Sequence, residues 1–266
     1  MSFPIHARLD GPLVMIGFGS IGRGVLPLIL RHIAYDDFSV IEPLGEFAHI
    51  LAEHGIRHHQ LALTPENFAS TIRSLFPQGK GMVVNLSVDV DSIELMIVCQ
   101  ELGVQYIDTV IEPWPGFYFG STLANAERTN YPLREKVRAL GQKYLGGPTA
   151  VSCCGANPGM VSWLLKEALL RLAADMEVMV SPPQSQVDWA QLMQRLGVKG
   201  IHIAERDTQV SAKPKPDGVF VNSWSVDGLL SEGYQPAELG WGTHERRLPR
   251  DGHAFAKGDA IWIDRA

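Results

Sequence analysis

The fold is decided by the stretch Leu13-Val14-Met15-Ile16-Gly17-Phe18-Gly19-Ser20-Ile21-Gly22. Its first four residues are apolar and predict a short buried strand, and its glycines form a G-x-G-x-x-G turn. Apolar residues recur at helical spacing through residues 24–33, which predicts a helix after the turn. In such a turn Gly17 lets the strand bend, Gly19 lets a pyrophosphate approach the backbone, and Gly22 lets the helix pack closely. The helix start favours phosphate charge, so the stretch predicts a dinucleotide site.

A carboxylate after the second predicted strand strengthens this interpretation. Phe38-Ser39-Val40-Ile41 is followed by Glu42, which lies 20 positions after Gly22. At that spacing an acid binds the ribose hydroxyls of the cofactor. No Arg or Lys occurs between Glu42 and Glu53 to receive a 2′-phosphate, which favours NAD over NADP. The alternative is a surface glutamate after a buried strand.

The order of predicted elements indicates an α/β fold. Short apolar strands alternate with helices through the first 155 residues, which is typical of a doubly wound parallel sheet of the Rossmann type. Beyond about residue 174 this alternation stops, and residues 200–204 and 219–226 resemble strands. We therefore predict a Rossmann domain over residues 1–155. An α+β substrate and dimerisation domain, incomplete in this chain, is predicted over residues 156–266.

Composition limits the partners of the protein. The chain has 266 residues, 45% hydrophobic and 20% charged, and a net charge of −6, which argues against nucleic acid and favours a cationic partner. Its three cysteines form neither a disulfide framework nor a zinc-binding spacing, so we expect no metal. No apolar run approaches 18 residues and no signal-peptide core follows Met1. We expect a cytoplasmic protein that does not bind membranes.

Five residues outside the core periodicity are candidates for chemistry: Glu112, Asn157, Glu205, Trp224 and Glu232. Each also has an ordinary explanation. Glu112 precedes a proline in a turn, Asn157 is placed to cap a helix, and a lone Trp224 is most often a core residue. Glu205 and Glu232 fit surface or loop carboxylates. From these residues alone, the function is that of an NAD-dependent oxidoreductase of unknown substrate.

Longer motifs carry a resemblance to a known family. The segments that carry it are Ile16-Gly17-Phe18-Gly19-Ser20-Ile21-Gly22, Asn85-Leu86-Ser87-Val88, Tyr106-Ile107-Asp108-Thr109, Ile111-Glu112-Pro113-Trp114-Pro115-Gly116, Gly155-Ala156-Asn157-Pro158-Gly159, Ile203-Ala204-Glu205-Arg206-Asp207-Thr208-Gln209 and Ala237-Glu238-Leu239-Gly240-Trp241-Gly242-Thr243-His244-Glu245. Together they resemble the bacterial homospermidine synthases, which belong to the saccharopine dehydrogenase-like enzymes. The resemblance covers nearly the whole chain.

This resemblance implies a redox-neutral transferase reaction on putrescine and related diamines. Homospermidine synthases hold NAD as a prosthetic group, and hydride passes from one putrescine to NAD⁺. Ammonia is lost as a second putrescine adds to the resulting imine, and the hydride returns to give homospermidine. The cofactor supplies the hydride chemistry, and the protein orients and neutralises the diamine. The resemblance also implies a homodimer.

The resemblance assigns roles to individual residues. Glu112, Glu205 and Glu232 match substrate-binding acids, Trp224 matches an aromatic ring that holds cationic intermediates, and Asn157 matches a polar group beside the reacting carbon. Asn157, Glu205, Trp224 and Glu232 are thus the expected catalytic residues. The expected cofactor-binding residues are Gly17, Gly19, Ser20, Ile21, Gly22, Glu42, Asn85, Leu86, Ser87, Thr109, Asn157 and Pro158.

One departure from the family keeps other functions open. Family members continue beyond the position of Ala266 with a stretch that contains an active-site histidine. We therefore expect this chain to bind NAD but to make homospermidine poorly unless another chain supplies the missing groups. The alternatives are another saccharopine dehydrogenase-like oxidoreductase and a non-catalytic, NAD-binding shortened relative.

Overall fold

A computed structural model of the chain describes residues 4–119, 122–206, 208, 210–221, 225–242, 245–256 and 260–264. The strands are β1 (Ala7–Arg8), β2 (Leu13–Ile16), β3 (Ile33–Ala34), β4 (Phe38–Ile41), β5 (Arg57–His59), β6 (Met82–Asn85), β7 (Gln105–Asp108), β8 (Ala150–Val151), β9 (Ala237–Gly240), β10 (Gly252–Ala254) and β11 (Ala260–Ile263). The helices are α1 (Ser20–His32), α2 (Ala48–Glu53), α3 (Phe68–Leu75), α4 (Ser92–Leu102), α5 (Asn130–Lys143), α6 (Met160–Asp175), α7 (Gln186–Arg195) and α8 (Val226–Tyr234). A short 3-10 helix spans Asn125–Glu127.

Six strands form one parallel sheet in the order β5-β4-β2-β6-β7-β8. The chain enters this sheet at β2, moves outward to β4 and β5, then crosses back to β6 and continues to β8. This is the doubly wound order of a Rossmann sheet, and it confirms the fold class predicted from the sequence. The direction of winding reverses between β2 and β6. Ligands of such sheets bind at this switch point, beyond the carboxyl ends of the strands.

The central strand β2 is buried because helices cover both faces of the sheet. Val14 and Ile16 pack into a core shared with α3 and α4, while Leu13 and Met15 pack into a second core shared with α1. All four β2 side chains are at most 2% exposed. A strand that is buried on both faces has an unbroken run of apolar residues rather than an alternating pattern, and β2 has such a run.

Glycine is required where β2 passes into α1. Gly17 has a φ of +87°, a left-handed conformation that residues with a Cβ rarely adopt. At Gly22 an added Cβ would lie 2.7 Å from the Gly17 carbonyl oxygen, so any larger side chain would push the helix off the turn. These two glycines are therefore explained by the packing of the protein itself.

Contacts divide the chain into two units, one formed by residues 1–152 and 224–266 and the other by residues 153–223. In the first unit, β9, β10 and β11 form an antiparallel sheet in the order β10-β11-β9, and β1 pairs with β3 in parallel. In the second, α6 and α7 pack through a small core that consists of Leu169, Ala173, Leu192 and Leu196. The sequence boundary near residue 155 stays a prediction about domains.

The strand predicted at residues 200–204 is wrong, and the strand predicted at residues 219–226 is wrong at residues 219–221 and 225–226, while residues 222–224 lie outside the described residues. Residues 200–206 have no regular structure, and α8 begins at Val226. Ile201 and Ile203 are 50% and 44% exposed, so their alternating pattern is not supported by burial against a neighbouring strand. The start of α8 is instead fixed by Ser225, whose hydroxyl accepts a hydrogen bond from the Gly228 amide at 3.0 Å.

We predict effects of different size on stability for two alanine substitutions in the glycine turn. Gly22→Ala should lower the free energy of unfolding by about 1–3 kcal/mol, because the new Cβ would overlap the Gly17 carbonyl oxygen. Gly19→Ala should change it by less than about 0.5 kcal/mol, since nothing described lies within 4 Å of a Cβ there. Urea denaturation measures both. Equal losses would contradict the packing role assigned to Gly22.

Candidate functional site

The glycine turn faces the loop that follows β6. An added Cβ at Gly17 would lie 2.8 Å from both the Leu86 carbonyl oxygen and the Ser87 nitrogen, so this loop forms a close wall of the turn. A Cβ at Gly19 would instead point into open space, with no described atom within 4 Å. Gly19 immediately precedes α1, whose first turn contains no acidic residue. The opening therefore fits a phosphate group that approaches the helix amides.

Glu42 lies against the same turn. One carboxylate oxygen accepts a hydrogen bond from the Phe18 amide at 2.8 Å, and the other accepts from the Leu44 amide at 2.9 Å. His58 Nε2 donates to the Glu42 carbonyl oxygen at 2.8 Å. Glu42 therefore joins the end of β4 to the glycine turn. Each carboxylate oxygen retains a second acceptor position, so the group also fits ribose hydroxyls.

A cation that sequence spacing did not reveal lies near this loop. The Arg23 guanidinium packs over the Phe47 ring at 3.8 Å from its centroid, and Arg23 Nε donates to the Gly19 carbonyl oxygen at 3.2 Å. Between Glu42 and Glu53 the sequence itself contains no Arg or Lys. Arg23 reaches the loop after β4 from α1, because the fold packs that helix beside the loop.

Polar side chains at the ends of β6, β7 and β8 form one hydrogen-bonded network. Its members are Asn85, Ser87, Tyr106, Asp108 and Ser152. Asn85, Tyr106 and Asp108 are all at most 2% exposed. Burial, followed by the charge of Asp108, raises the pKa of Tyr106 well above its ordinary value, which keeps the phenol neutral. Tyr106 was missed as a site residue because strand periodicity does not distinguish a buried polar group from a core residue.

A cluster of carboxylates surrounds Glu112 in the first unit. Burial, together with the nearby charges of Asp89, Asp108 and Glu232, raises the pKa of Glu112 to about 7. The backbone of Glu112 is fixed at the start of α4, where its amide donates to the Ser92 hydroxyl at 3.0 Å and its carbonyl accepts from the Ser92 amide at 2.7 Å. Like charges gathered at a half-buried acid favour a cationic ligand, because a cation relieves their repulsion.

Within the first unit, the segment that carries Glu232 is held to residues 1–152 by specific contacts. The Phe119 and Tyr234 rings pack with centroids 4.8 Å apart, and the Tyr131 amide donates to a Glu238 carboxylate oxygen at 2.9 Å. These contacts connect α8 to the segment just after Glu112-Pro113-Trp114-Pro115-Gly116, and β9 to the start of α5. Glu232 lies in α8. The alternative explanation that it is a loop carboxylate is therefore wrong.

A buried tyrosine borders the carboxylate cluster. Burial raises the pKa of Tyr118, and the charges of Glu112, Glu238 and Glu232 raise it further. Tyr118 therefore stays neutral and keeps its hydroxyl proton at physiological pH. Like Asp89, it was not recognised as a site residue because a single sequence places neither near Glu112.

The second unit brings together two more of the predicted site residues. The Asn157 amide donates to a Glu205 carboxylate oxygen at 3.0 Å, and both residues are exposed. Gly159 has a φ of +132°, and an added Cβ there would lie 2.3 Å from the Gly155 carbonyl oxygen. The loop that carries Asn157 and Pro158 is therefore held in a tight shape that requires glycine.

The remaining sequence predictions fall in different places. Thr109 follows β7 and is half-buried, and Ser20 and Ile21 begin α1. Trp224 lies outside the described residues.

In the described part of the chain, no group of three or more His, Cys, Asp or Glu side chains could hold a metal ion. A search of the same residues finds no helix long and apolar enough to cross a membrane.

The chain is similar to longer proteins whose names state an activity. It is 53% identical over 267 residues to a homospermidine synthase of Blastochloris viridis, covering 98% of this chain and 56% of that protein. It is 51% identical over 272 residues to the homospermidine synthase of Mesorhizobium japonicum, covering 99% of this chain and 56% of that protein. The chain thus spans about half the length of these curated relatives.

A solved structure has the same fold over nearly the whole chain. It is the homospermidine synthase of Legionella pneumophila in complex with NAD, at 35% identity and a TM-score of 0.80. The match covers 98% of this chain and 55% of that one.

Two family models divide the chain between them. One, described as the saccharopine dehydrogenase NADP binding domain, matches residues 13–151, and the other, described as the saccharopine dehydrogenase C-terminal domain, matches residues 155–266. The first alone matches more than half of the 266 residues. The resemblance drawn from the sequence motifs is confirmed: this chain belongs to the saccharopine dehydrogenase family.

Proposed function

We propose that this chain functions in the synthesis of homospermidine from two molecules of putrescine, with NAD as a bound cofactor. The observation that carries the proposal is the carboxylate cluster around Glu112, which lies in the same structural unit as the glycine turn. A dinucleotide turn and a cation-attracting acid cluster are the two sites that a diamine redox reaction needs. The names of the relatives support the same activity.

The residues of the glycine turn fit NAD. In this proposal the pyrophosphate lies over Gly19 and the start of α1, the ribose hydroxyls of the adenosine half contact Glu42, and Ser87 and Thr109 lie toward the nicotinamide half. When bound, NAD accepts and returns the hydride. The open space at Gly19 supports this arrangement, because no packing within the described chain accounts for a glycine there.

The carboxylates of the first unit bind the diamine. Putrescine carries two positive charges at neutral pH, and Glu112, Glu232 and Asp89 supply opposing charges. One amine must lose a proton before hydride can leave its carbon. Glu112 is suited to take that proton, since a pKa of about 7 lies near the working pH of a cytoplasmic enzyme.

Three further residues have roles that rest on the family resemblance. Asn157 orients the reacting carbon, and Glu205 binds an amine of the diamine. The hydrogen bond between these two side chains supports a shared role. Trp224 holds the cationic intermediate over its ring, a contact worth about 2 kcal/mol when desolvated.

The proposal also includes a cytoplasmic location and a homodimer. Exposed apolar side chains on α6 support self-association, since Met160 and Leu164 are 55% and 54% exposed and Trp163 is 69% exposed. Large apolar groups that cluster on one helix are typical of a protein interface.

We predict that Glu42 selects NAD over NADP. Glu42→Ala should weaken NAD binding by roughly tenfold, because the ribose hydroxyls lose a charged acceptor. NADP binding should weaken much less, because the variant also removes a negative charge that repels the 2′-phosphate. Isothermal titration with each cofactor measures the ratio of the two dissociation constants, and Glu46→Ala, an exposed acid in the same loop, is the matched control.

The ratio of the NAD and NADP dissociation constants separates a selective role of Glu42 from a structural one. Glu42 also accepts a hydrogen bond from the Phe18 amide in the glycine turn. A purely structural effect of removing its side chain would therefore weaken the binding of NAD and of NADP equally. An unchanged ratio of NAD to NADP affinity would rule out a selective role for Glu42.

We predict that putrescine affinity rises between pH 6 and pH 8. Glu112 ionises around pH 7, and only its ionised form attracts the diamine. The dissociation constant should fall by up to roughly tenfold over this range, and Glu112→Gln should abolish most of that dependence. Titration of the NAD-saturated chain at several pH values measures it, with Glu53→Gln on α2 as a control. A wild-type affinity that stays flat with pH would contradict the assignment.

The same carboxyl group affects stability, which gives an independent check. A pKa raised above the ordinary 4.5 means that the folded state binds more protons than the unfolded state between pH 4.5 and 7. Stability is therefore lost as the pH rises through this window. Glu112→Gln should stabilise the chain by at most about 3 kcal/mol at pH 8 and by little at pH 4. Stabilisation of the same size at both pH values would show that Glu112 is not the titrating group.

The direct test of the proposed function is product formation. Purified chain with NAD and putrescine is incubated and the polyamines are identified by mass spectrometry, while binding of NAD and putrescine is titrated separately. Homospermidine, or binding of both ligands, supports the proposal. A different oxidation product from putrescine would favour another oxidoreductase of the family. Absence of binding by both ligands would overturn the proposal.

A further inference from the structure

The polar network at the strand ends forms a continuous chain of hydrogen bonds in the first unit. Ser87 Oγ lies 2.5 Å from Asn85 Oδ1, and Asn85 Nδ2 lies 3.1 Å from the Tyr106 hydroxyl. That hydroxyl lies 3.0 Å from Asp108 Oδ2, and Ser152 Oγ lies 3.0 Å from Asp108 Oδ1. The chain runs from the loop after β6, across β7, to the end of β8.

The direction of these hydrogen bonds is fixed by chemistry. A carboxylate only accepts, so Tyr106 and Ser152 both donate to Asp108. Toward Asn85 the Tyr106 oxygen must then accept, which turns the Asn85 amide nitrogen toward it, and the Ser92 side chain is a further hydrogen-bond partner of Tyr106. The Asn85 amide oxygen therefore faces Ser87 and accepts from its hydroxyl and from its backbone amide, at 3.2 Å.

This order determines what Ser87 offers to a ligand. Its hydroxyl proton is directed at Asn85, so toward any further group the oxygen presents lone pairs and acts as an acceptor. The Ser87 backbone is also the wall that packs against Gly17. The position and the hydrogen-bonding character of this loop thus depend on groups that lie one and two strands away.

We propose that Tyr106 and Asp108 are positioning residues that hold Asn85 and Ser87 in the shape that binds the cofactor. This inference rests on the proposed binding of NAD in the glycine turn. It assigns Ser87 an accepting role toward a donor group of the dinucleotide, such as a ribose hydroxyl or the carboxamide nitrogen. Tyr106 and Asp108 act only through Asn85 and Ser87.

The first experiment measures the loop without any cofactor. Hydrogen exchange at the Ser87 amide should be roughly tenfold faster in Tyr106→Phe than in the unaltered chain, because Asn85 loses the partner that orients it. Exchange at the β2 amides of Val14 and Met15 serves as the internal reference for global stability. Tyr35→Phe, which removes the hydroxyl of a half-buried tyrosine just before β4, on the other side of β2 from β7, is the matched control. Unchanged exchange at Ser87 would overturn the inference.

The second experiment is a double-mutant cycle read by NAD titration. Tyr106→Phe and Ser87→Ala should each weaken NAD binding by roughly five- to thirtyfold, and the double variant should bind no more weakly than the weaker single variant. A purely structural effect of Tyr106→Phe would instead multiply with that of Ser87→Ala and contradict the inference. If exchange at Ser87 accelerates but the unaltered chain does not bind NAD, the positioning role stands and the proposed cofactor is wrong.

Discussion

The close approach of backbone to backbone at the glycine turn is the constraint on which the rest of this structure depends. Gly22 allows α1 to lie against the Gly17 carbonyl, and Gly17 in turn allows the Leu86-Ser87 loop to lie against the turn. Both contacts leave no room for a side chain. They bring the ends of β2 and β6 together at the reversal of strand order, and so determine where a dinucleotide and its reacting partner can meet.

The first unit contains two acids with different surroundings, the buried Asp108 and the half-buried Glu112. Asp108 is met by hydroxyl donors from Tyr106 and Ser152, which stabilise a charge. Glu112 is met instead by other carboxylates and by a low-polarity environment, which oppose a charge. Asp108 ends β7 and Glu112 lies in the loop that follows, and their different partners allow one acid to be structural and the other to exchange protons.

The sheet could be predicted from the sequence because each of its signals is local. Four consecutive apolar residues, a glycine pattern and an acid at a fixed distance specify β2, α1 and the place of Glu42 without knowledge of any distant contact. The alternation at Ile201 and Ile203 predicted a strand that does not form. A strand also needs a neighbouring strand to pair with, and a local sequence pattern does not reveal one. Tyr106 was missed for the same reason, since its partners lie on β6 and at the end of its own strand.

Residues 224–266 belong to the first unit although they follow the second unit in the sequence, which affects the order in which the parts of the site form during folding. The glycine turn, Glu42 and the Ser87 loop come from a continuous stretch of chain, whereas the acid cluster is complete only when α8 brings Glu232 back across a long sequence separation. Contacts between distant parts of a chain form late, because closing a long loop costs entropy before any contact is gained. The cleft at the glycine turn can therefore form before the acid cluster is complete, and under the proposed function a nascent chain would bind NAD before it could bind putrescine.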